Sequence, residues 1–170
     1  MKNKLELRMY ILTPYNISPI QQGIQSLHGC VEYAQKHFKD SDYQDWAKNF
    51  KTVIILNGGT TNNGFNGGPG TMQMHLEALK KNKIKHSVFF EPDLNNALTA
   101  VCFLVNEKVF NRKKYPDYVE PFPTPGFKIK GFVPVVVDNK GCVNYKEWVK
   151  SIGGKQNEFL RDFLKPFRLA

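Results

Sequence analysis

Amide, imidazole and carboxylate side chains recur at alternating steps of four and three residues between Ile17 and Phe38. The polar series consists of Gln21, Gln25, His28, Glu32 and Gln35. Such steps place side chains along one side of an α-helix. A histidine there can serve as a general base near neutral pH, and glutamines offer paired contacts to a base or a ribose. A structural histidine on a solvated helix face explains the pattern equally well, and both interpretations stay open.

An apolar series runs along the same stretch, about half a turn away. Ser18 fits the N-cap, Pro19 the first helical position and Gln21 the third residue of a capping box. The spacing therefore predicts a helix over 17–38 whose apolar side faces the core. That side consists of Ile17, Ile20, Ile24, Leu27, Val31, Ala34 and Phe38.

A polar turn, Glu91 to Ala97, separates two short apolar segments, His86 to Phe90 and Leu98 to Val105, which read as strands. Glu91 and Asp93 could orient His28, or bind an amine or a ribose hydroxyl. Acidic residues in such a turn could equally cap and brace it.

A glycine-rich segment, Asn57 to Gly70, leads into a predicted helix over Thr71–Lys81 with Thr71 as its cap. Backbone N–H groups of such a loop and the helix dipole favour an anion, so Gly67, Gly68 and Thr71 are candidate ligand-binding residues. The segment lacks the Gly-Lys-Ser/Thr of a P-loop and the spacing of a dinucleotide fingerprint. A flexible surface insertion is the commoner explanation of a loop this long.

The remaining elements indicate a fold class. Leu5 to Leu12 alternates as a half-buried strand, and Asp40 to Phe50 fits a short helix capped by Ser41. Thr52 to Leu56 is a β-branched run without alternation, typical of an interior, parallel strand. The order predicts an α/β fold with a mixed four-stranded sheet and helices on both faces.

Beyond residue 106 the composition changes to an irregular aromatic and basic segment. Lys128 to Val137 reads as one or two strands, and Asn144 to Ile152 and Gln156 to Leu164 as short helices. We therefore predict an α/β domain over 1–106 and a C-terminal α+β extension over 107–170.

The amino-acid composition limits the classes of function that the chain can have. A chain of 170 residues with 41% hydrophobic residues and a net charge of +9 is typical of a globular protein that attracts polyanions. Its three cysteines, at wide separations, favour buried thiols over disulfides or a metal site. With no long apolar run, we expect no membrane association, a cytoplasmic location and no metal.

Two motifs resemble the peptidyl-tRNA hydrolase 2 family, in particular its small phage and bacterial members. That family has a helix beginning approximately Met-Ser-x-Gly-Lys-x-Ala-Ala-Gln-x-x-His-Ala, and residues 17–29 match it at Ser18, Gln25 and His28, with small residues at Gly23 and Gly29. Residues 91–100, Glu-Pro-Asp-Leu-Asn-Asn-Ala-Leu-Thr-Ala, are similar to the turn before the last strand in phage-type members. The resemblance spans about residues 5–105.

The resemblance implies a hydrolase that cleaves the ester between a peptide and tRNA without a cofactor. It implies catalytic roles for His28, Asp93 and Thr99. The family's lysine near the helix start is Gln21 here, and a neutral amide cannot hold an oxyanion as a cation does. The candidate ligand-binding residues are Ser18, Gln21, Gln25, Glu91, Asn95, Gly67, Gly68 and Thr71.

Three functions follow as hypotheses. The first is an esterase acting on peptidyl-tRNA or a related nucleotide ester. The second is a catalytically silent binder of a nucleotide-like small molecule, which could sequester a signalling nucleotide. The third is an RNA- or protein-interaction module that uses the segment from Arg112 to Tyr118. Self-association into a homo-oligomer is left open.

Overall fold

The computed structural model describes residues 4–64, 67–119, 136–138 and 141–170, with the backbone alone at 136–138 and 141–143. The chain forms two compact units. The first comprises Met1–Glu107 together with Leu164–Ala170, and the second is Lys108–Phe163. The predicted boundary at 106/107 differs from this division by one residue, and the C-terminal residues group with the first unit.

A four-stranded mixed sheet forms the centre of the first unit. Its strands are β1 (Leu7–Thr13), β2 (Thr52–Asn57), β3 (His86–Glu91) and β4 (Ala97–Asn106). Their order is β2-β1-β4-β3, with β2 parallel to β1 and with β4 antiparallel to both β1 and β3. The α/β class and the mixed four-stranded sheet are therefore confirmed.

The helices of the first unit are α1 (Pro19–His37), α2 (Ser41–Asp45) and α3 (Thr71–Lys81). A π-helical turn, Trp46–Phe50, continues α2. Two predicted caps are wrong: Asp40 caps α2 instead of Ser41, and Gly70 caps α3 instead of Thr71. In both cases the helix begins one residue earlier than the predicted cap implies, so the predicted cap is its first residue.

α1 and α3 cover opposite faces of the sheet. Tyr33 of α1 packs in one cluster with Met9 and Ile11 of β1. On the other face, a Cβ atom at Gly58 would lie close to both Met72 of α3 and Leu12 of β1. Because successive strand residues point to opposite faces, Ile11 and Leu12 mark the two sides.

The positions of β1 and β2 correct two expectations. β1 was expected to be half-buried, but it lies between β2 and β4 and is covered on both faces, with Met9, Ile11 and Leu12 fully buried. β2 was expected to be interior, but it is an edge strand. The last residues of the chain pair with its outer edge: the N–H of Asn57 donates to the carbonyl of Arg168, and the N–H of Ala170 donates to that of Ile55. The tail thus satisfies backbone groups that an edge strand leaves open.

The orientation of α1 overturns the expected core face. Ile20, Ile24, Leu27, Val31 and Phe38 are exposed, Ile20 to 77% and Leu27 to 65%. The face of α1 that is buried carries instead Gln22, Gln25, Ser26, Gly29 and Tyr33.

A close approach of α1 to β4 explains this reversal. A Cβ atom at Gly29 would lie 2.5 Å from Sγ of Cys102 and 2.9 Å from Cβ of Ala100, so only glycine fits there. The buried polar groups have partners, as burial requires. Nε2 of Gln22 donates to the carbonyl of Pro14 at 3.1 Å, and Oγ of Ser26 donates to the carbonyl of Gln22 at 2.7 Å. Branched aliphatic side chains would hold the helix further from the sheet.

The second unit contains short elements. They are α4 (Glu107–Phe110, which begins at the last residue of the first unit), β5 (Val136–Asp138), β6 (Gly141–Val143), α5 (Tyr145–Ser151) and α6 (Lys155–Phe163). β5 and β6 form an antiparallel pair. α5 and α6 confirm the two predicted helices, whereas most of the strand region predicted over 128–137 lies outside the described residues.

Two further features bear on the sequence-based expectations. Cys30 is half-buried and Cys102 is buried, and both are free thiols. In the part of the chain that the structure describes, no helix combines the length and the apolar character that crossing a membrane requires.

Candidate functional site

One edge of the sheet gathers most of the predicted site residues. β1, β2 and β3 run in the same direction, so their carboxyl ends meet at this edge, and β4 begins there. α1 also begins near it, at Pro19, shortly after β1 ends at Thr13. α3 begins at Thr71, after the glycine-rich segment that follows β2. In open α/β sheets, ligands bind outside the carboxyl ends of the strands.

A β-bulge aims Thr99 toward α1. Phe89 pairs with Ala100, and the next residue of β3, Phe90, pairs with Leu98, so Thr99 is the extra residue in β4. A bulge interrupts the strict alternation of side chains and re-aims the extra residue. As a result, the hydroxyl of Thr99 reaches Gln25 on α1, where it donates to Oε1 at 2.6 Å.

Gln25 connects Thr99 to the turn after β3. Its Nε2 donates to Oε2 of Glu91 at 2.5 Å. The other oxygen of Glu91 accepts from the backbone N–H of Asp93 at 3.4 Å and caps the short 3₁₀ turn Pro92–Leu94. Gln25 and Thr99 are both buried, so their hydrogen bonds replace those that water would make. The structure thus brings together three of the predicted residues, Gln25, Glu91 and Thr99.

A pocket of about 310 Å³ lies at this edge. Three of the predicted residues line it: Asp93, Asn95 and Thr99. Asn95 is held in the left-handed region, at φ 52°, which asparagine tolerates better than most residues do. The other lining residues come from the turn after β1, from the glycine-rich segment and from the 91–97 turn: Pro14, Asn16, Ile17, Thr61, Asn62, Leu94 and Ala97.

The chemistry of this pocket favours a neutral polar ligand group. None of the described lining residues is a lysine or an arginine, and Asp93 is the one carboxylate among them. Amides and a hydroxyl can pair with the edge of a base, and a carboxylate can accept from a ribose diol. A phosphate would instead meet the charge of Asp93. The volume lies at the lower end of the range for small-molecule sites.

His28 lies outside this pocket. Its imidazole is exposed and stacks on the ring of Phe89, with centroids 4.5 Å apart and planes inclined by 17°. No described residue forms a hydrogen bond with it. Because an α-helix rises 1.5 Å per residue, His28 sits about 4.5 Å further along α1 than Gln25, away from the pocket edge.

Ser18 and Gln21 bond to each other at the start of α1. The N–H of Gln21 donates to Oγ of Ser18 at 3.3 Å, and the N–H of Ser18 donates to Oε1 of Gln21 at 3.0 Å. The predicted capping box is therefore confirmed. Neither residue lines the pocket, so their polar groups serve the helix start in this structure.

The glycine-rich segment uses its N–H groups internally. The N–H of Thr60 donates to Oγ1 of Thr71 at 2.6 Å, and that of Met72 donates to the carbonyl of Thr60 at 3.0 Å. The N–H of Gly67 donates to the carbonyl of Gly64, and the carbonyl of Gly68 accepts from the N–H of Gly64. These bonds leave fewer donors for an anion than the composition of the segment suggests.

A second cavity, of about 300 Å³, lies on the Thr71 side of this segment. Burial lowers the pKa of His75 there. Sequence reasoning missed this cavity because three of its residues come from the C-terminal tail, and nothing in the local pattern links the tail to the loop. Its lining comprises Asn57, Gly58, Gly59, Thr71, His75, Pro166, Phe167 and Arg168.

The pocket residues Asn16, Thr61 and Asn62 were also missed by sequence reasoning. Their positions in the chain could have identified them, because Asn16 closely follows β1 and Thr61 and Asn62 follow β2. Both strands had been predicted from the sequence. Within the described residues, no group of three or more histidine, cysteine or acidic side chains could hold a metal ion.

No protein-family model matches the chain, and a search of curated proteins found no match.

Proposed function

We propose that this chain is a peptidyl-tRNA hydrolase 2-like protein that binds the nucleoside portion of a tRNA end or of a nucleotide-like small molecule. The site is the pocket between the start of α1 and the 91–99 turn. The observation that carries the proposal is the convergence of Asp93, Asn95 and Thr99 in this pocket at the carboxyl ends of the strands. The family resemblance of the α1 and 91–100 motifs supports the same location.

The ligand chemistry follows from the lining. Asp93 accepts hydrogen bonds from a ribose diol, and the amides of Asn16, Asn62 and Asn95 pair with a base edge. In this arrangement the phosphates of the ligand lie outside the pocket, and the protein's net charge of +9 attracts them. We propose that no cofactor takes part. We also propose a cytoplasmic location, because tRNA is found there.

Binding is better supported than cleavage. A general base must come within hydrogen-bond reach of the proton that it removes, and His28 lies outside the pocket and stacks on Phe89. The lysine of the resembling family is also replaced by Gln21, whose amide oxygen accepts from Ser18. The pocket therefore suits a binder that holds its ligand without turnover.

The experiment measures binding of adenosine, adenosine monophosphate and a tRNA with a free 3′ end by calorimetry. We expect adenosine to bind, and Asp93→Ala to weaken binding by about tenfold or more, as the loss of a charged hydrogen bond implies. Asp42→Ala, which removes an exposed carboxylate of α2 outside the pocket, is the matched control and should leave affinity unchanged. Absence of binding by all three ligands would reject the proposal.

Ester hydrolysis is the second candidate. One observation favours it: Thr99 lines the pocket, and its hydroxyl donates to the buried amide of Gln25, which fixes the position of both side chains beside a bound ester. Release of the peptide from a model peptidyl-tRNA by the wild type, abolished in Asp93→Ala, would establish it. No release above the rate of the protein-free control would leave the binder as the sole function of this pocket.

The interaction module through the segment 112–118 receives less support. Arg112 pairs with Asp117, and its NH2 group donates to the carbonyl of Arg161 at 2.7 Å. A guanidinium held in this way is less accessible to phosphates. Weak, steeply salt-dependent RNA binding that Lys113→Ala reduces would favour this function instead.

A further inference from the structure

The apolar row on α1 is a continuous feature of the surface. Residues three and four apart on a helix are neighbours, so the exposed side chains of Ile20, Ile24, Leu27, Val31 and Phe38 form one strip, which we name the α1 seam. The opposite side of α1 is buried against the sheet. Monomeric proteins rarely expose contiguous apolar strips unless they are binding surfaces.

The spacing of the seam is that of a coiled-coil strip. The steps from Ile20 to Ile24, Leu27 and Val31 are four, three and four residues, and Ala34 and Phe38 continue them. These are the a and d positions of a heptad, which pack against the same kind of strip on another helix. α1 is already held in place by its buried side, so pairing does not have to order the helix first.

We propose that a second copy of this chain covers the α1 seam, forming a two-fold symmetric dimer with the two α1 helices antiparallel. The heptad positions that flank the seam carry no lysine, arginine or carboxylate: they are Gln21, His28 and Gln35 on one side and Gly23, Cys30 and His37 on the other. Two copies with a net charge of +9 each repel one another over most surfaces. The α1 seam is a place where they can meet without bringing like charges together.

Charge also selects the antiparallel orientation. Lys36 and Lys39 lie at the C-terminal end of α1, whereas its first turn contains no acidic residue. A parallel pair would place the lysines of both copies side by side. An antiparallel pair separates them by about the length of the helix, roughly 28 Å at 1.5 Å per residue.

In one register of the antiparallel pair, every residue of the α1 seam faces an apolar residue of the partner's α1 helix. Leu27 then lies against the partner's Val31, Ile24 against the partner's Ala34, and Ile20 against the partner's Phe38. Each layer combines an a position with a d position, which keeps both seams aligned along their length. Five exposed apolar side chains per copy correspond to a small interface, so we expect a dissociation constant on the order of micromolar.

Sedimentation equilibrium of the full chain tests the interface. We expect the wild type to be dimeric at about 100 µM, and Leu27→Glu to weaken association at least about tenfold by placing a charge in the seam. Met74→Glu puts the same charge at an exposed apolar position of α3 and should leave the dimer intact. Circular dichroism verifies that each variant is folded. A monomeric wild type, or an unchanged mass for Leu27→Glu, would overturn the proposal.

Disulfide trapping tests the orientation. With Cys30 and Cys142 replaced by alanine in all samples, the double variant Ile24→Cys/Ala34→Cys should form a covalent dimer under mild oxidation. The single variant Ile24→Cys should not, because the two copies of residue 24 lie about 15 Å apart along the antiparallel helices. Cross-linking of the single variant alone would show a parallel pair and refute the proposed arrangement.

Discussion

The hydroxyl of Thr99 donates a 2.6 Å hydrogen bond to the amide oxygen of Gln25, although 74 residues separate the two in sequence. Both side chains are buried, and the amide nitrogen of Gln25 is in turn bound to Glu91. This chain of polar groups joins the first helix to the turn that lines the pocket. It makes the shape of the pocket dependent on the bulge in β4.

Replacing Thr99 by valine should destabilise the protein. Valine keeps the shape but leaves the buried oxygen of Gln25 without a donor, which costs about 1–3 kcal/mol of unfolding free energy. Thr99→Ser keeps the hydroxyl and should cost less. Urea denaturation of the three proteins measures the difference, and equal stabilities of the valine and serine variants would contradict the importance of this hydrogen bond.

Two glycines of α1 should respond in opposite ways to alanine. Gly29→Ala places a Cβ atom against Cys102 and Ala100 and should cost about 1–3 kcal/mol through overpacking. At Gly23 no atom lies within 4 Å of the added Cβ atom, so Gly23→Ala should stabilise by about 0.5–1 kcal/mol through helix propensity. Thermal and urea unfolding at one protein concentration compare the pair. A tolerated Gly29→Ala would mean that α1 lies further from β4.

His75 should make stability depend on pH. Burial lowers its pKa below the ordinary value of 6.5, so the unfolded chain takes up a proton more readily. Above about pH 6.5, His75 is neutral in both states and does not reduce the unfolding free energy. As the pH falls from there toward the lowered folded-state pKa, the unfolded chain is protonated first and the unfolding free energy decreases. We expect His75→Gln to show a smaller difference in urea stability between about pH 5 and about pH 8 than the wild type shows.

The control for His75 is Met74→Gln, which alters the neighbouring residue of α3 without removing a titratable group. Its pH dependence should match that of the wild type. An unchanged pH dependence in His75→Gln would refute the assignment.

Arg161 should be the most sensitive residue of the second unit. It is almost fully buried, and it donates to Asp117 at 3.0 Å and to the carbonyls of Lys108 and Tyr115. Arg161→Met leaves these acceptors unpaired and should cost about 2–3 kcal/mol.

Lys155→Met, which removes an exposed cation of the same helix, should change stability by less than about 1 kcal/mol. Intrinsic fluorescence follows both variants, because Arg161 lies 5.7 Å from the ring of Trp148. Equal effects of the two substitutions would argue against a structural role for the buried guanidinium.

Local signals in the sequence were sufficient for the longer helices and for the four strands of the sheet. The capping box of Ser18 and Gln21, the extent of α3 and the positions of the four strands follow from spacing, capping and β-branched runs. These signals depend on contacts within one turn or on the alternation along one strand. They are therefore visible without knowledge of the fold.

What the sequence by itself determined about α1 is that it is a helix with one apolar and one polar side. Only the tertiary structure decided which side meets the sheet, because that depends on Gly29 fitting against Cys102 of a strand far along the chain. The same holds for the edge position of β2 and for the bulge that aims Thr99 at Gln25. Periodicity describes a segment, whereas orientation and register are set by the partner against which that segment packs.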